Sequence, residues 1–263
     1  MTSTHRVDEP RAATSGERRF LAVSALVFFI SAGATVAWCE SMRAVAAMPM
    51  WMPLCGRRWT TQPASFLGMW TVMMAAMMLP SLVPMLQRYR RGVPVVRQAQ
   101  LDALTVLVGV AYLAVWVGVG AAVLAGQAGL AVLEMVWPRV VRGVPAATGA
   151  IVLAAGAVQL SAWKARQLAG CRTVPASGGM LRAGPRHALR YGARLGIQCV
   201  GSCAALTSIL LVAGAMDLWA MAAVSAAITL ERLAPFGDRA ARLVGAAALG
   251  SGAFLVVRAL VPG

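Results

Sequence analysis

Residues 64–86 read ASFLGMWTVMMAAMMLPSLVPML, twenty-three positions without a charged side chain. A helix needs about 20 residues to cross a hydrocarbon layer of about 30 Å, so this stretch is long enough. Within lipid, only helices and closed barrels satisfy their own backbone hydrogen bonds. The apolar side chains here run continuously rather than alternating, which selects the helix. Directly after it comes QRYRR, residues 87–91, where arginines mark the return to water.

The same pattern recurs on both sides. Apolar runs cover about residues 20–38, 101–124, 144–163, 195–216, 218–230 and 240–260. The run at 218–230 is short for a crossing and calls for tilt or a thinner bilayer. The expected fold is all-α: a polytopic transmembrane helix bundle of about seven spans (six to seven), one domain over residues 20–260. Residues 1–19 read as a disordered tail. The run from Phe20 ends in Trp38-Cys39-Glu40 without a small-residue cleavage site, so it reads as a retained span rather than a signal peptide. Composition agrees, at 59% hydrophobic and 13% charged, where soluble chains are about half apolar and about a quarter charged.

The net charge is +15, from 23 arginines and Lys164 against nine acids. These charges are spread over linkers and form no nucleic-acid-binding module, so nucleic acid is not an expected partner. They read instead as topology signals. With the N-terminus cytoplasmic, the inner segments hold 18 basic residues and the outer ones six, which is the expected bias. The absence of an internal repeat argues against an inverted-repeat transporter.

Soft ligands are concentrated. Met69, Met73 and Met77 form one helical stripe, and Met74 and Met78 a second beside it. Thioethers suit copper(I), and Met42, Met48, Met50 and Met52 precede the span in an outer loop. Methionine also fills gaps between helices, so the stripe admits a packing reading too. Pro80 and Pro84 are expected to bend this helix and free carbonyls. In GIQCVGSC, residues 196–203, Cys199 and Cys203 share a helix face one turn apart. Both can reach one ion, or both can be inert buried thiols. Gly196 and Gly201 would admit a close neighbouring helix. Cys171, in the linker before this helix, is expected on the same side. Three thiols at cytoplasmic helix ends would suit trigonal copper(I) or, less well, zinc. Cys39 and Cys55, on the outer side, are candidates for a disulfide. His5 and His187 stand in no ligand spacing.

Carboxylates within spans are functional candidates because their burial is costly. Glu231 ends the sixth run, with Arg232 as a local partner, and Asp217 lies at a turn between Met216 and Leu218. Asp102 reads as a charge at a helix N-terminus. No P-loop, dinucleotide fingerprint, HExxH motif or nucleophile elbow occurs, so nothing marks an enzyme.

The segment MWTVMMAAMMLPSLVPM (69–85) closely resembles the hallmark of a bacterial family described as predicted metal-binding integral membrane proteins, a domain of unknown function. The likeness continues through VQLSAWKARQLAGCR (158–172), GIQCVGSCAAL (196–206), GAMDLWAMAA (214–223) and Glu231-Arg232. It implies a multi-pass protein of the bacterial cytoplasmic membrane. It also implies a metal site drawn from Met73, Met74, Met77, Met78, Cys171, Cys199, Cys203, Met216 and Glu231, with copper handling as the role. This chain departs from the family pattern at Gln167 and Ser202, where cysteine is common, and at Asp217, where asparagine is common.

The leading expectation is a copper(I)-handling membrane protein: outer methionines collect the ion, the Met69–Met78 stripe passes it, and the cysteines receive it. Its partners would be the lipid bilayer and a membrane protein or second copy. The alternatives are a non-catalytic membrane subunit or assembly factor whose Met, Ala and Gly serve packing, and a metal-dependent membrane enzyme.

Overall fold

The computed structural model describes residues 15–46, 62–94, 97–137, 143–172, 183–214, 217–234 and 236–260. All regular structure among them is helical. In chain order it comprises α1 (Ser15–Ala46), α2 (Gln62–Gly92), α3 (Gln98–Val136), α4 (Val144–Leu160), α5 (Ala162–Arg172), α6 (Pro185–Gly214), α7 (Leu218–Leu233) and α8 (Gly237–Leu260). Five of these, α1, α2, α3, α6 and α8, are long and apolar enough to cross a membrane. The α4–α5 pair adds a sixth such stretch, bent by 63° at Ser161. At sixteen residues α7 is the short one, about 24 Å long at 1.5 Å per residue.

Helices extend well past the apolar runs, because a polar residue ends a hydropathic window without ending a helix. Thus α1 begins at Ser15, five residues before Phe20, with Glu17 in its first turn. The Gly-containing stretch after residue 124 continues α3 to Val136. The segment expected to link residues 164 and 194 instead supplies α5 and the first turns of α6. Pro185 opens α6, where its missing N–H is of no consequence. Cys199 and Cys203 therefore lie in the middle of α6, not at its end. Cys199 is about 21 Å along the axis from Pro185.

The core lies between α2, α3, α6 and α7, with Met73, Met74, Met77 and Met78 from α2 in it. Gly192 and Gly196 let α6 lie against α3: a Cβ at Gly192 would stand 2.3 Å from the Val108 carbonyl oxygen, and one at Gly196 2.9 Å from Val115 Cβ. Gly201 is covered more loosely, by Gln167 of α5 at 3.3 Å. Trp70 of α2 donates through Nε1 to the Trp116 carbonyl of α3 at 2.8 Å. At one end of the bundle, Arg90 pairs with Asp102 and Arg91 with Glu17, each at 2.7 Å. These bridges bring together the start of α1, the end of α2 and the start of α3. Outward faces are apolar, with Phe29, Ile30, Val106, Leu243 and Phe254 exposed, while Lys164, Glu231 and Arg232 are buried.

Candidate metal centre

Three sulfurs meet where α2 and α6 face each other. One helical turn on α6 sets Cys199 Sγ and Cys203 Sγ 4.0 Å apart, too far for a disulfide bond of about 2.05 Å. From α2, Met78 brings its Sδ to 3.7 Å from Cys199 Sγ. All three side chains are buried. With metal–sulfur bonds of about 2.3 Å, ligands at 120° around a trigonal ion stand about 4.0 Å from each other. The two separations that Cys199 Sγ makes, to Met78 Sδ and to Cys203 Sγ, are both close to that. Two cysteines and a thioether, with no imidazole, make a donor set that suits copper(I).

A phenol and a hydroxyl flank the sulfurs. Tyr112 of α3, fully buried, donates its OH to Cys199 Sγ at 2.8 Å. Ser202 Oγ lies 3.7 Å from Cys203 Sγ and donates to the Cys199 carbonyl at 3.0 Å. A cavity of about 470 Å³ between α1, α2 and α3 reaches this point, for Met78 and Tyr112 form part of its wall, together with Val23, Leu82 and Val106. Arg19, Arg90 and Asp102 also line it.

Behind Ser202 lies a buried ionic cluster that joins five helices. Lys164 of α5 pairs with Glu231 of α7, Nζ to Oε2, at 2.8 Å. The same ammonium donates to the Ser202 carbonyl of α6, and Gln159 of α4 donates to Glu231 Oε1. Arg232 donates to Ser202 Oγ at 2.5 Å and to Ser81 Oγ of α2 at 3.3 Å. Glu231 is thus engaged through both oxygens, and its ion partner across the helices is Lys164 rather than the adjacent Arg232 alone. Sequence reading placed Lys164 at a linker and treated it as a topology charge. The signal available was its singularity: one lysine among 23 arginines. Tyr112, Gln159 and Ser81 carried no signal, since each needs a partner from another helix to acquire meaning.

The structure therefore brings together Met78, Cys199 and Cys203 of the expected ligands. Met69, Met73, Met74 and Met77 are buried on the same helix, and the Met77 carbonyl accepts from Ser225 of α7 at 3.2 Å. Despite Pro80 and Pro84, α2 runs as one helix from Gln62 to Gly92. Asp217 is the N-cap of α7, accepting from the backbone N–H groups of Trp219 and Ala220 at 2.8 and 3.1 Å. Cys171 falls in the last turn of α5, but its side chain lies outside the described residues, as do Met216, His5, Cys55, Met48, Met50 and Met52 in full. Cys39 is buried on α1. His187, on α6, is exposed. Among the described residues, no three His, Cys, Asp or Glu side chains gather as a metal-binding group. The thioether of Met78 is what brings the sulfur set to three.

Residues 67–255 match the family model of PpoB2, described as a copper chaperone. The chain belongs to that copper-chaperone family. The matched segment runs from the start of the Met-rich stretch on α2 into α8, and contains the three sulfurs and the whole ionic cluster. No similar curated protein and no similar solved structure was found.

Proposed function

We propose that this chain is a membrane-embedded copper(I) chaperone that holds the ion on Cys199, Cys203 and Met78 and passes it on by ligand exchange. The observation that carries the reading is the meeting of three buried sulfurs from α2 and α6, with Cys199 Sγ at 3.7 and 4.0 Å from the other two, within a family described as a copper chaperone. A site of two thiols and a thioether holds a soft ion without hard or imidazole ligands, and so leaves it exchangeable with another sulfur site. The five apolar helices and the exposed apolar faces support placement in a bilayer. The excess of arginine on one set of segments supports an N-terminus in the cytoplasm of a bacterial inner-membrane protein.

In this reading Glu231 is a counter-ion behind the site rather than a ligand. The remaining methionines of α2 shape an apolar, sulfur-rich wall, and a membrane partner takes the ion. Protein purified in mild detergent under reducing conditions, and loaded with copper(I), is expected to retain about one equivalent. The variant Cys199→Ser/Cys203→Ser, folded by circular dichroism, is expected to retain none. Copper content unchanged in that variant would end the assignment.

A further inference from the structure

A groove runs along the bundle between α1 and α3, with α2 as its floor. It is the cavity of about 470 Å³ whose wall includes Met78 and Tyr112, a volume within the range of about 300–1,000 Å³ for small-molecule sites. Its α2 residues are Ala75, Met78, Leu79, Leu82, Leu86 and Arg90, spaced three or four apart and so aligned along one helix face. From Met78 to Arg90 that face measures about 18 Å at 1.5 Å per residue. One leaflet of a hydrocarbon core of about 30 Å is about 15 Å deep, so the groove has the length of an acyl chain.

Charge is confined to one end of it. The rims are apolar, with Val23 and Val27 of α1 and Val106 and Val110 of α3 exposed. Arg19, Arg90 and Asp102 line the end away from Tyr112. Asp102 is already held, by Arg90 at 2.7 Å and by Gln98 at 3.2 Å. Glu17, close by, is held by Arg91 at 2.7 Å. Arg19 is exposed. Arg90 reaches Asp102 and Thr105 from Nη1, one nitrogen of a guanidinium group with five N–H donors. The same group lies over the Phe20 ring, 4.9 Å from its centroid, which fixes where the charge stands.

We infer that this groove binds an anionic phospholipid, with one acyl chain along α2 and the phosphate at Arg19 and Arg90. Guanidinium groups hold phosphate through charge-assisted hydrogen bonds, and basic pockets between membrane helices on the cytoplasmic side take anionic headgroups. The far end of the chain lies against Met78 and Tyr112, and covers the apolar side of the sulfur site. The inference rests on the membrane placement of the protein, not on which metal the sulfurs hold.

The test is lipid retention by the full chain in mild detergent, read by native mass spectrometry. The protein is offered equal amounts of phosphatidylglycerol and phosphatidylcholine with identical acyl chains. Phosphatidylglycerol is expected to be retained in preference by at least about fivefold. Arg19→Gln should erase most of that preference. Gly109→Leu changes a residue of the groove wall where a Cβ meets nothing within 4 Å, and should lower retention of both lipids. Gly118→Leu, also on α3 with open space at its Cβ but outside the groove, should lower neither. Equal retention of the two lipids by the unaltered chain would overturn the proposal. So would a preference unchanged in Arg19→Gln, or retention unchanged in folded Gly109→Leu protein. Release of the unaltered chain from membranes by alkaline carbonate would instead remove the membrane placement itself.

Discussion

Lys164 Nζ stands 2.8 Å from Glu231 Oε2, with each side chain 2% exposed. The bond ties α5 to α7, and Gln159 of α4 shares the same carboxylate. The bent α4–α5 stretch is therefore fastened to the helix that follows the cysteine-bearing one. Removing one partner leaves a buried charge without its main counter-ion, at a cost of about 3–5 kcal/mol. Lys164→Met is expected to be destabilised to that extent, read from unfolding in mixed micelles. Lys164→Met/Glu231→Gln is expected to recover most of the loss, because the carboxylate that lost its ammonium is then replaced by a neutral amide. Equal instability in both variants would show that packing, not the ion pair, is what Lys164 provides.

Met78 separates the ligand reading of the methionine stripe from the packing reading. Leucine nearly matches its volume, so Met78→Leu should cost less than about 1.5 kcal/mol of stability. As a ligand change, it should weaken copper(I) binding about tenfold or more and reduce the sulfur coordination number seen by X-ray absorption from three to two. Met73→Leu, on the same helix and equally buried, is the comparison and is expected to change binding less. Identical losses in the two variants would return Met78 to the role of filler.

The helical fold was legible because uncharged runs such as residues 64–86 have few physical alternatives. The cysteine pair and the methionine stripe were legible because three- and four-residue spacings place side chains on one helix face. Helix ends were not, since Arg186, Arg190 and Arg194 lower hydropathy without opposing helix formation; this hid the first turns of α6 and displaced the cysteines toward a helix end. The ionic cluster was also illegible, for Lys164 and Glu231 are 67 positions apart in sequence, and only packing of α5 against α7 makes them partners. For the same reason, nothing local selects Met78 from its neighbours on α2. That choice depends on where α6 sits.

Gly192 fixes how closely α6 lies on α3. A Cβ there would meet the Val108 carbonyl oxygen at 2.3 Å, which is backbone and cannot rotate away. Gly192→Val should therefore push the helices apart, at a cost of about 1–3 kcal/mol, and carry Tyr112 away from Cys199. Gly250→Ala, where a Cβ meets nothing within 4 Å, is expected to be neutral or to stabilise α8 by up to about 1 kcal/mol. The comparison needs only the unfolding midpoints of the two variants.

Tyr112 donates to Cys199 Sγ at 2.8 Å from a fully buried position. Once Cys199 carries copper it is a thiolate, and a hydrogen bond to a charged acceptor contributes about 1.5–3 kcal/mol. Tyr112→Phe removes that donor while preserving the ring that packs between α3 and α6. Copper(I) is expected to leave the variant about tenfold faster or more, measured by the rate at which excess chelator strips the loaded protein. The unfolding midpoint should move much less, because the unloaded thiol is a weak acceptor. An unchanged release rate would mean that the phenol turns away from the sulfur when the ion is bound. Faster release with unchanged folding would make Tyr112 a residue that sets how long the ion stays.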